Sequence, residues 1–225
     1  MPALELVNMF AVPFAFSRYS GHERLNPALK RYILDAEKTG SAANPRPLTQ
    51  RNAGVFESHF NLFRVNDPAI QELKAFCWDQ LLGVIGRLNR YDLPTLGRLQ
   101  LYNDCWFHVM RRGGFFGVHN HPNASWSGVY CVDTGEKGSG PPQQRLLSFI
   151  NPMITSAMYM DAAISNMELP YGPQIANIAL GAGQLVIFPS WVLHDVKPYD
   201  GEGERITVAF NCWFTLPDAP LAPGV

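Results

Sequence analysis

A regular alternation of side-chain type begins near residue 98 and recurs as far as residue 215. Between Leu99 and Met110 the odd-numbered side chains share one face of an extended chain and the even-numbered ones share the other. Similar runs, bounded by Gly and Pro turns, predict further strands at 126–132, 145–150, 184–188, 193–197 and 205–215. Many short strands joined by turns favour an antiparallel sandwich or barrel, here a cupin-like jelly roll.

Two amphipathic segments precede the alternating region. Asn26 and Pro27 predict the cap and first turn of a helix that ends near Gly40, and Asp67 and Pro68 predict the start of a second helix that runs to about Leu88. Both helices are expected to support the sheet. We therefore predict a mainly β (α+β) chain with one domain, 1–225. Its parts are an N-terminal strand with supporting helices at 1–97, a jelly-roll core at 98–216, and an insertion or lid at 152–183.

Composition restricts the partners and the compartment. The 225 residues carry 18 Lys+Arg and 19 Asp+Glu, a formal charge of −1, so neither a nucleic-acid-binding face nor a membrane patch is indicated. The four cysteines are scattered without a Cys-x-x-Cys pair, which favours buried free thiols. The N-terminal residues lack the pattern of a secretory signal, and no apolar run is long enough for a membrane helix. These features are typical of a cytoplasmic protein.

The histidines are the first sign of chemistry. His119 and His121 are two residues apart in a run rich in aromatic and β-branched residues, so on one strand they would face the same side. Two imidazoles side by side without a shared partner would both have to be desolvated, and a metal ion explains them better. His194, which follows a later apolar strand, is the candidate third ligand. We expect His22 and His59 to be ordinary hydrogen-bonded residues.

The last predicted strand offers an anion receptor. Arg205, Thr207, Ala209 and Asn211 would share one face of the run 205–214, with the apolar side chains on the other. A guanidinium beside a hydroxyl suits a carboxylate. The competing interpretation of Arg205 is a surface salt bridge with Glu202 or Glu204.

Four motifs in order, HNHP, SGVY, FPSW-x-x-H and RIT, resemble the iron(II)/2-oxoglutarate-dependent oxygenase superfamily, and more closely its little-characterised bacterial 2OG-Fe(II) branch. The resemblance spans nearly the whole chain. It implies a double-stranded β-helix as the catalytic core, with Fe(II), 2-oxoglutarate and O2 as cofactor and cosubstrates. It also implies that His119, His121 and His194 bind the metal, that Arg205 binds the distal carboxylate of 2-oxoglutarate, and that Thr207 adds a hydroxyl contact. Five further residues are expected to line the pocket or support its ligands: Asn103, Trp106, His108, Tyr130 and Asn211.

The sequence departs from the usual family pattern at one ligand. His121 stands where most members have Asp or Glu, so the site would keep the full +2 charge of the metal, and zinc, nickel or manganese become alternatives to iron. If His121 is not a ligand, Asp195 and Asp104 are the nearest candidate carboxylates.

Two other functions are compatible with the same sequence pattern. The first is a three-histidine cupin-type enzyme that does not use 2-oxoglutarate, in which Arg205 would hold the substrate's own carboxylate. The second is a metal-free jelly-roll binding module. The substrate would be a small molecule or a peptide, and a homo-oligomer is compatible with the sequence.

Overall fold

A computed structural model describes residues 4–40, 42–47, 49–50, 54–136, 146–155 and 159–217. Three α-helices occur in these ranges, α1 (His22–Thr39), α2 (Pro68–Asn89) and α3 (Leu93–Arg98), with short 3₁₀ helices at Leu62–Arg64 and Pro152–Thr155. The described strands are β1 (Ala15–Arg18), β2 (Val55–Glu57), β3 (Gln100–Met110), β4 (Phe116–His119), β5 (Trp126–Asp133), β6 (Leu147–Phe149), β7 (Ala176–Ile178), β8 (Gln184–Pro189), β9 (His194–Val196) and β10 (Arg205–Thr215).

The strands form two antiparallel sheets that pack against each other. The larger sheet has the order β1-β8-β5-β10-β3-β2, and the smaller has the order β4-β9-β6-β7. Side chains from both sheets meet in one apolar cluster, with Val186 and Phe188 from the larger sheet against Leu147 and Phe149 from the smaller. This arrangement matches the predicted mainly β class.

Strand β10 shows how the larger sheet separates the core from the cavity. Ile206, Val208, Phe210 and Cys212 belong to the main core with Leu29 and Ile33 of α1 and Leu73 and Leu81 of α2. The alternate side chains, Arg205, Thr207, Ala209 and Asn211, line a cavity between the two sheets. The predicted alternation therefore holds, and the helices cover only the face opposite the cavity.

The two long helices begin differently. Asp67 caps α2 as predicted, because its carboxylate accepts hydrogen bonds from the backbone N–H groups of Ala69 and Ile70. The predicted start of α1 at Asn26 is wrong, because the helix already begins at His22 and contains Pro27. The buried Asn26 side chain instead bridges the helix to β5, donating to the Val132 carbonyl at 2.7 Å and accepting from the Tyr130 hydroxyl at 2.7 Å. Among the described helices, none is both long and apolar enough to cross a membrane.

Two of the short strands lie outside the ranges where the sequence predicts individual strands. Strand β2 is limited to Val55–Glu57 and is followed by the 3₁₀ helix at Leu62–Arg64. Within the predicted insertion 152–183, Ala176–Ile178 pairs with β6 and so extends the smaller sheet. Strand β7 has only three residues, which is too short for a periodicity signal.

All four cysteines are free and buried. Burial raises the pKa of Cys131 to about 12 and also raises the pKa values of Cys77, Cys105 and Cys212. Because only the thiolate is nucleophilic, we expect none of the four to react with a thiol reagent at pH 8 in the folded protein. All four should react once the chain is unfolded in guanidinium, and rapid labelling of the native protein would contradict this burial.

Candidate metal centre

Three imidazoles converge at one place in the cavity. His119 ends strand β4 and lies directly opposite His194 on β9, and one ligand nitrogen from each of His119, His121 and His194 lies within 4.8 Å of the others. The ring centroids of His119 and His194 are 4.3 Å apart. The sequence predicts that His119 and His121 lie on one strand, but β4 ends at His119 and His121 lies beyond it. A turn, held by the hydrogen bond from the His121 backbone N–H to the Ser190 carbonyl at 2.9 Å, brings its ring to the other two.

Hydrogen bonds to backbone carbonyls fix the tautomers of two of the rings. Nδ1 of His119 is 2.7 Å from the Gly117 carbonyl oxygen, and Nδ1 of His194 is 2.9 Å from the Val192 carbonyl oxygen. A carbonyl oxygen can only accept, so each Nδ1 carries the hydrogen, and Nε2 of the neutral ring is left with a free lone pair. This is the usual support of a metal-binding histidine.

The protein environment keeps these rings uncharged. Burial is the main cause that lowers the pKa of His194 to about 3, and repulsion from His119 adds to it. Burial also lowers the pKa of His121 to about 4, with repulsion from His119 and His108 as the smaller causes. Burial also lowers the pKa of His119. Metal ions bind the neutral imidazole, so the three donors are in the required protonation state at neutral pH. Their number, chemistry and protonation fit a divalent transition metal.

The same lowered pKa values predict that the metal-free protein is sensitive to acid. The unfolded chain takes up protons near the ordinary histidine pKa of 6.5, whereas folded His121 and His194 resist protonation down to about 4 and about 3. Stability is therefore complete above pH 6.5 and falls as the pH decreases, by up to ~1.4 kcal/mol per pH unit for each ring. Urea unfolding of chelator-treated protein at pH 7.5 and 5.0 measures this loss. His194→Asn should reduce the difference, and His22→Asn should not.

Arg205 lies in the same cavity as the three histidines, at the deeply buried part of strand β10. Its side chain is 7% exposed and that of Thr207 is 3% exposed, and burial lowers the pKa of Arg205. Within the described part of the chain, the guanidinium has no ion pair or hydrogen bond, and Glu204 lies instead near Arg111. The surface salt bridge considered for Arg205 is therefore not formed with Glu204. The charge of Glu136 raises the pKa of Arg205, but this carboxylate forms no ion pair with the guanidinium, and a bound carboxylate would offset the cost of burial.

The other predicted pocket residues divide according to strand face. Trp106, His108 and Asn211 line the cavity. Asn103 and Tyr130 do not: Asn103 shares the face of Cys105 and Phe107, and Tyr130 is fully buried in the core beneath the helices, where it bonds Asn26. Strands β3 and β5 turn these two side chains away from the metal centre, so their expected place beside it is wrong.

A buried carboxylate that the sequence analysis did not propose also lines the cavity. Glu57 of β2 lies directly opposite His108 on β3, and its Oε2 is 3.1 Å from His108 Nε2. The indole Nε1 of Trp106 is 2.9 Å from the same nitrogen, which accepts from the indole when it is unprotonated and donates to Glu57 when it is protonated. His108 is in turn the register partner of Thr207 on β10. Because Glu57, His108 and Thr207 occupy neighbouring positions on three strands, they form one polar row beside Arg205.

The cavity has a volume of about 330 Å³. Apolar side chains of both sheets surround the histidines: Phe116, Leu147, Phe188 and Val196. None of the described lining residues belongs to 152–183. Neither Asp195 nor Asp104 joins the cluster of three histidines in the described part of the chain, so His121 is the third member of the group.

Comparison with known proteins agrees with this geometry. Residues 104–211, just under half of the chain, match the family model described as "Putative 2OG-Fe(II) oxygenase". This range is therefore similar to the 2OG-Fe(II) oxygenase family. It contains all three clustered histidines, together with Arg205 and Thr207. No curated protein sequence matches the chain.

Solved structures show that the fold extends beyond the matched range. A prolyl-4-hydroxylase from Pseudomonas putida is 17% identical, with 90% of this chain and 92% of that chain covered and a TM-score of 0.53. AviO1 from Streptomyces viridochromogenes Tue57 is 16% identical, with 94% and 93% covered and a TM-score of 0.56. HygX from Streptomyces hygroscopicus, solved with nickel, 2-oxoglutarate and hygromycin B, is 11% identical, with 89% and 82% covered and a TM-score of 0.55. The two sheets and their supporting helices thus form the double-stranded β-helix fold of these proteins.

Proposed function

We propose that this protein is an iron(II)- and 2-oxoglutarate-dependent oxygenase of the hydroxylase type. One observation carries the proposal: three neutral imidazoles converge in the cavity that also holds a buried guanidinium with no hydrogen bond or ion pair among the described residues. The family match of the core supports the same reaction class.

The three histidines would hold iron through Nε2 of His119 and His194 and through a ring nitrogen of His121. Three ligands on one side of the ion leave adjacent positions for a chelating 2-oxo acid and for dioxygen. Iron bound here would supply the coupled oxidation in which 2-oxoglutarate loses CO2, one oxygen atom of O2 enters the succinate that remains, and the other is inserted into a C–H bond of the substrate. His119 and His194 face each other on paired strands, which limits the movement of both ligands.

Arg205 and Thr207 would bind and orient 2-oxoglutarate. The Arg205 guanidinium would pair with the distal carboxylate, and Thr207, two residues along the same face, would add a hydroxyl contact. His108, opposite Thr207, would support this end of the cavity. The apolar side chains around the histidines would exclude water, which strengthens these polar contacts.

The experiment that tests this function is an assay for succinate with iron(II), ascorbate, 2-oxoglutarate and air. We expect slow, 2-oxoglutarate-dependent succinate formation even without a substrate. Arg205→Ala should abolish it, and Arg112→Ala, which removes an exposed guanidinium outside the cavity, should not. Absence of succinate from protein that holds one equivalent of iron would contradict the proposal and favour an enzyme that does not use 2-oxoglutarate.

We also propose a substrate class, a cytoplasmic location and an oligomeric state for this oxygenase. The half-open cavity suits a small molecule or a side chain of a peptide as substrate, and the four buried free thiols support the reducing environment of the cytoplasm. A homo-oligomer is compatible with the exposed apolar side chains at Tyr159, Met160 and Leu169.

A further inference from the structure

The side chains of β10 that face the cavity become more exposed along the strand. Arg205 and Thr207 are 7% and 3% exposed, whereas Trp213 is 36% exposed. The open end of the cavity, which we call the mouth, therefore lies near Asn211 and Trp213. A substrate would reach the histidines from this end if 2-oxoglutarate occupies the Arg205 end.

A carboxylate and an amide face each other at the mouth. Asp104 on β3 and Asn211 on β10 are register partners, and both line the cavity. The half-buried Asp104 carboxylate forms no hydrogen bond or ion pair with any other described residue. The Ser127 hydroxyl donates to Asn211 Oδ1 at 2.7 Å, which leaves the Nδ2 hydrogens of Asn211 available. The mouth thus presents an anionic acceptor beside a neutral donor.

Aromatic rings lie on both sides of this pair. Two residues towards the solvent, Tyr102 and Trp213 are register partners, and their rings are stacked at 6.1 Å. Trp106 follows Asp104 by two residues in the direction of the metal centre. Its ring centroid is 4.7 Å from that of Phe60 and 5.9 Å from that of His121. Phe60, Trp106 and Trp213 all line the cavity.

A carboxylate between aromatic rings is suited to a cation. The carboxylate pairs with the positive charge, and the ring faces attract it through their quadrupole. An anionic group, or a neutral group without a donor, would leave the partly desolvated Asp104 carboxylate without a partner, and a neutral hydroxyl would form a weaker contact than an ammonium group. The charged side chain at the mouth is therefore the anionic Asp104, whereas Arg205 lies at the other end of the cavity, where the Glu57 carboxylate contacts His108.

We propose that Asp104 is a specificity-determining residue that binds a cationic amine of the substrate, a role that rests on the proposed function of the site. The amine would lie between Trp106 and Trp213 and donate to the Asp104 carboxylate, while Asn211 Nδ2 donates to a neighbouring oxygen of the substrate. One step of two residues along a strand is about 7 Å, so the oxidised carbon would lie only a few bonds from the amine.

Two small probes that differ in charge test this site. Phenethylamine is cationic at pH 7 and phenethyl alcohol is neutral, and both have the same ring and chain length. Each is titrated anaerobically into protein loaded with iron(II) and 2-oxoglutarate, with binding followed by tryptophan fluorescence. We expect phenethylamine to bind about tenfold more tightly than phenethyl alcohol, because one charge-assisted contact has about this effect.

Asp104→Asn, which keeps the shape and removes the charge, should make the two affinities equal. Asp79→Asn removes an exposed carboxylate from α2 and should leave the difference unchanged. Equal affinities in the unmodified protein, no binding of phenethylamine, or an unchanged difference in Asp104→Asn would each overturn the proposal.

Repeating the titrations without iron separates this proposal from the proposed function. If iron and 2-oxoglutarate bind but the charge preference is missing, only the amine site is wrong. If the charge preference depends on Asp104 but the protein binds no iron or 2-oxoglutarate, the amine site stands and the oxygenase function is wrong.

Discussion

Replacing His194 by alanine should reduce the affinity for iron(II) by at least about 100-fold, because it removes one of three protein ligands from the proposed centre. His194 is only 4% exposed, and its Nδ1 bonds the Val192 carbonyl, so its ring has a fixed direction. Few neighbouring groups could replace it, since neither Asp104 nor Asp195 joins the cluster among the described residues. Equilibrium dialysis followed by metal analysis measures the loss.

The matched control for that variant is His22→Ala. His22 begins α1 and bonds the Tyr19 carbonyl, and it does not line the cavity. The unmodified protein and His22→Ala should retain close to one equivalent of iron, and His194→Ala should retain almost none. Equal metal content in His194→Ala and the unmodified protein would show that the metal lies elsewhere. Circular dichroism distinguishes loss of a ligand from loss of the fold.

Replacing Arg205 by alanine should weaken 2-oxoglutarate binding by about 100-fold, the effect of losing a buried, charge-assisted pair of about 3 kcal/mol. Iron binding should be retained, because Arg205 is separate from the three imidazoles. Arg205→Lys should recover only part of the affinity, since an ammonium cannot reproduce the two parallel hydrogen bonds of a guanidinium. Titration calorimetry under anaerobic conditions measures these affinities.

The unfolding free energy of Arg205→Ala provides a second, independent test. The guanidinium is buried and forms no hydrogen bond or ion pair with a described residue, and only the more distant Glu136 carboxylate favours its charge, so its removal should not strongly destabilise the ligand-free protein. The stabilisation by added 2-oxoglutarate should be lost in the same variant. Strong destabilisation of the ligand-free variant would indicate that Arg205 is a structural residue.

The sequence allowed the polar face of β10 to be predicted because the strand is long and its alternation is unbroken. The same alternation predicts that Asn103 and Trp106 lie on opposite faces of β3, because they are three residues apart. It also predicts that Asp104, two residues before Trp106, shares the cavity face with it. Periodicity does not show which face of the sheet the helices cover, so it cannot distinguish a pocket position for Tyr130 from its observed position in the core.

Other features depend on contacts between distant residues. Asn26 looks like a helix cap, but its side chain bonds β5, more than one hundred residues away. His121 lies past the end of β4 and reaches the cluster through a turn tied to Ser190. Glu57 is in a strand of only three residues, which gives no periodicity signal. Its place in the cavity depends on the pairing of β2 with β3, which brings it to His108. The convergence of His119 with His194 was inferred from family resemblance, since spacing alone cannot bring together residues so far apart in the chain.

The most direct test of the shared metal and anion site is an anaerobic absorption titration of the iron(II)-loaded protein with 2-oxoglutarate. A 2-oxo acid that chelates iron(II) produces a visible charge-transfer band, which neither component shows alone. We predict that this band appears, saturates at one equivalent of 2-oxoglutarate per iron, and requires a much higher concentration in Arg205→Ala. Protein that holds one equivalent of iron but shows no band at any concentration of 2-oxoglutarate would contradict the account.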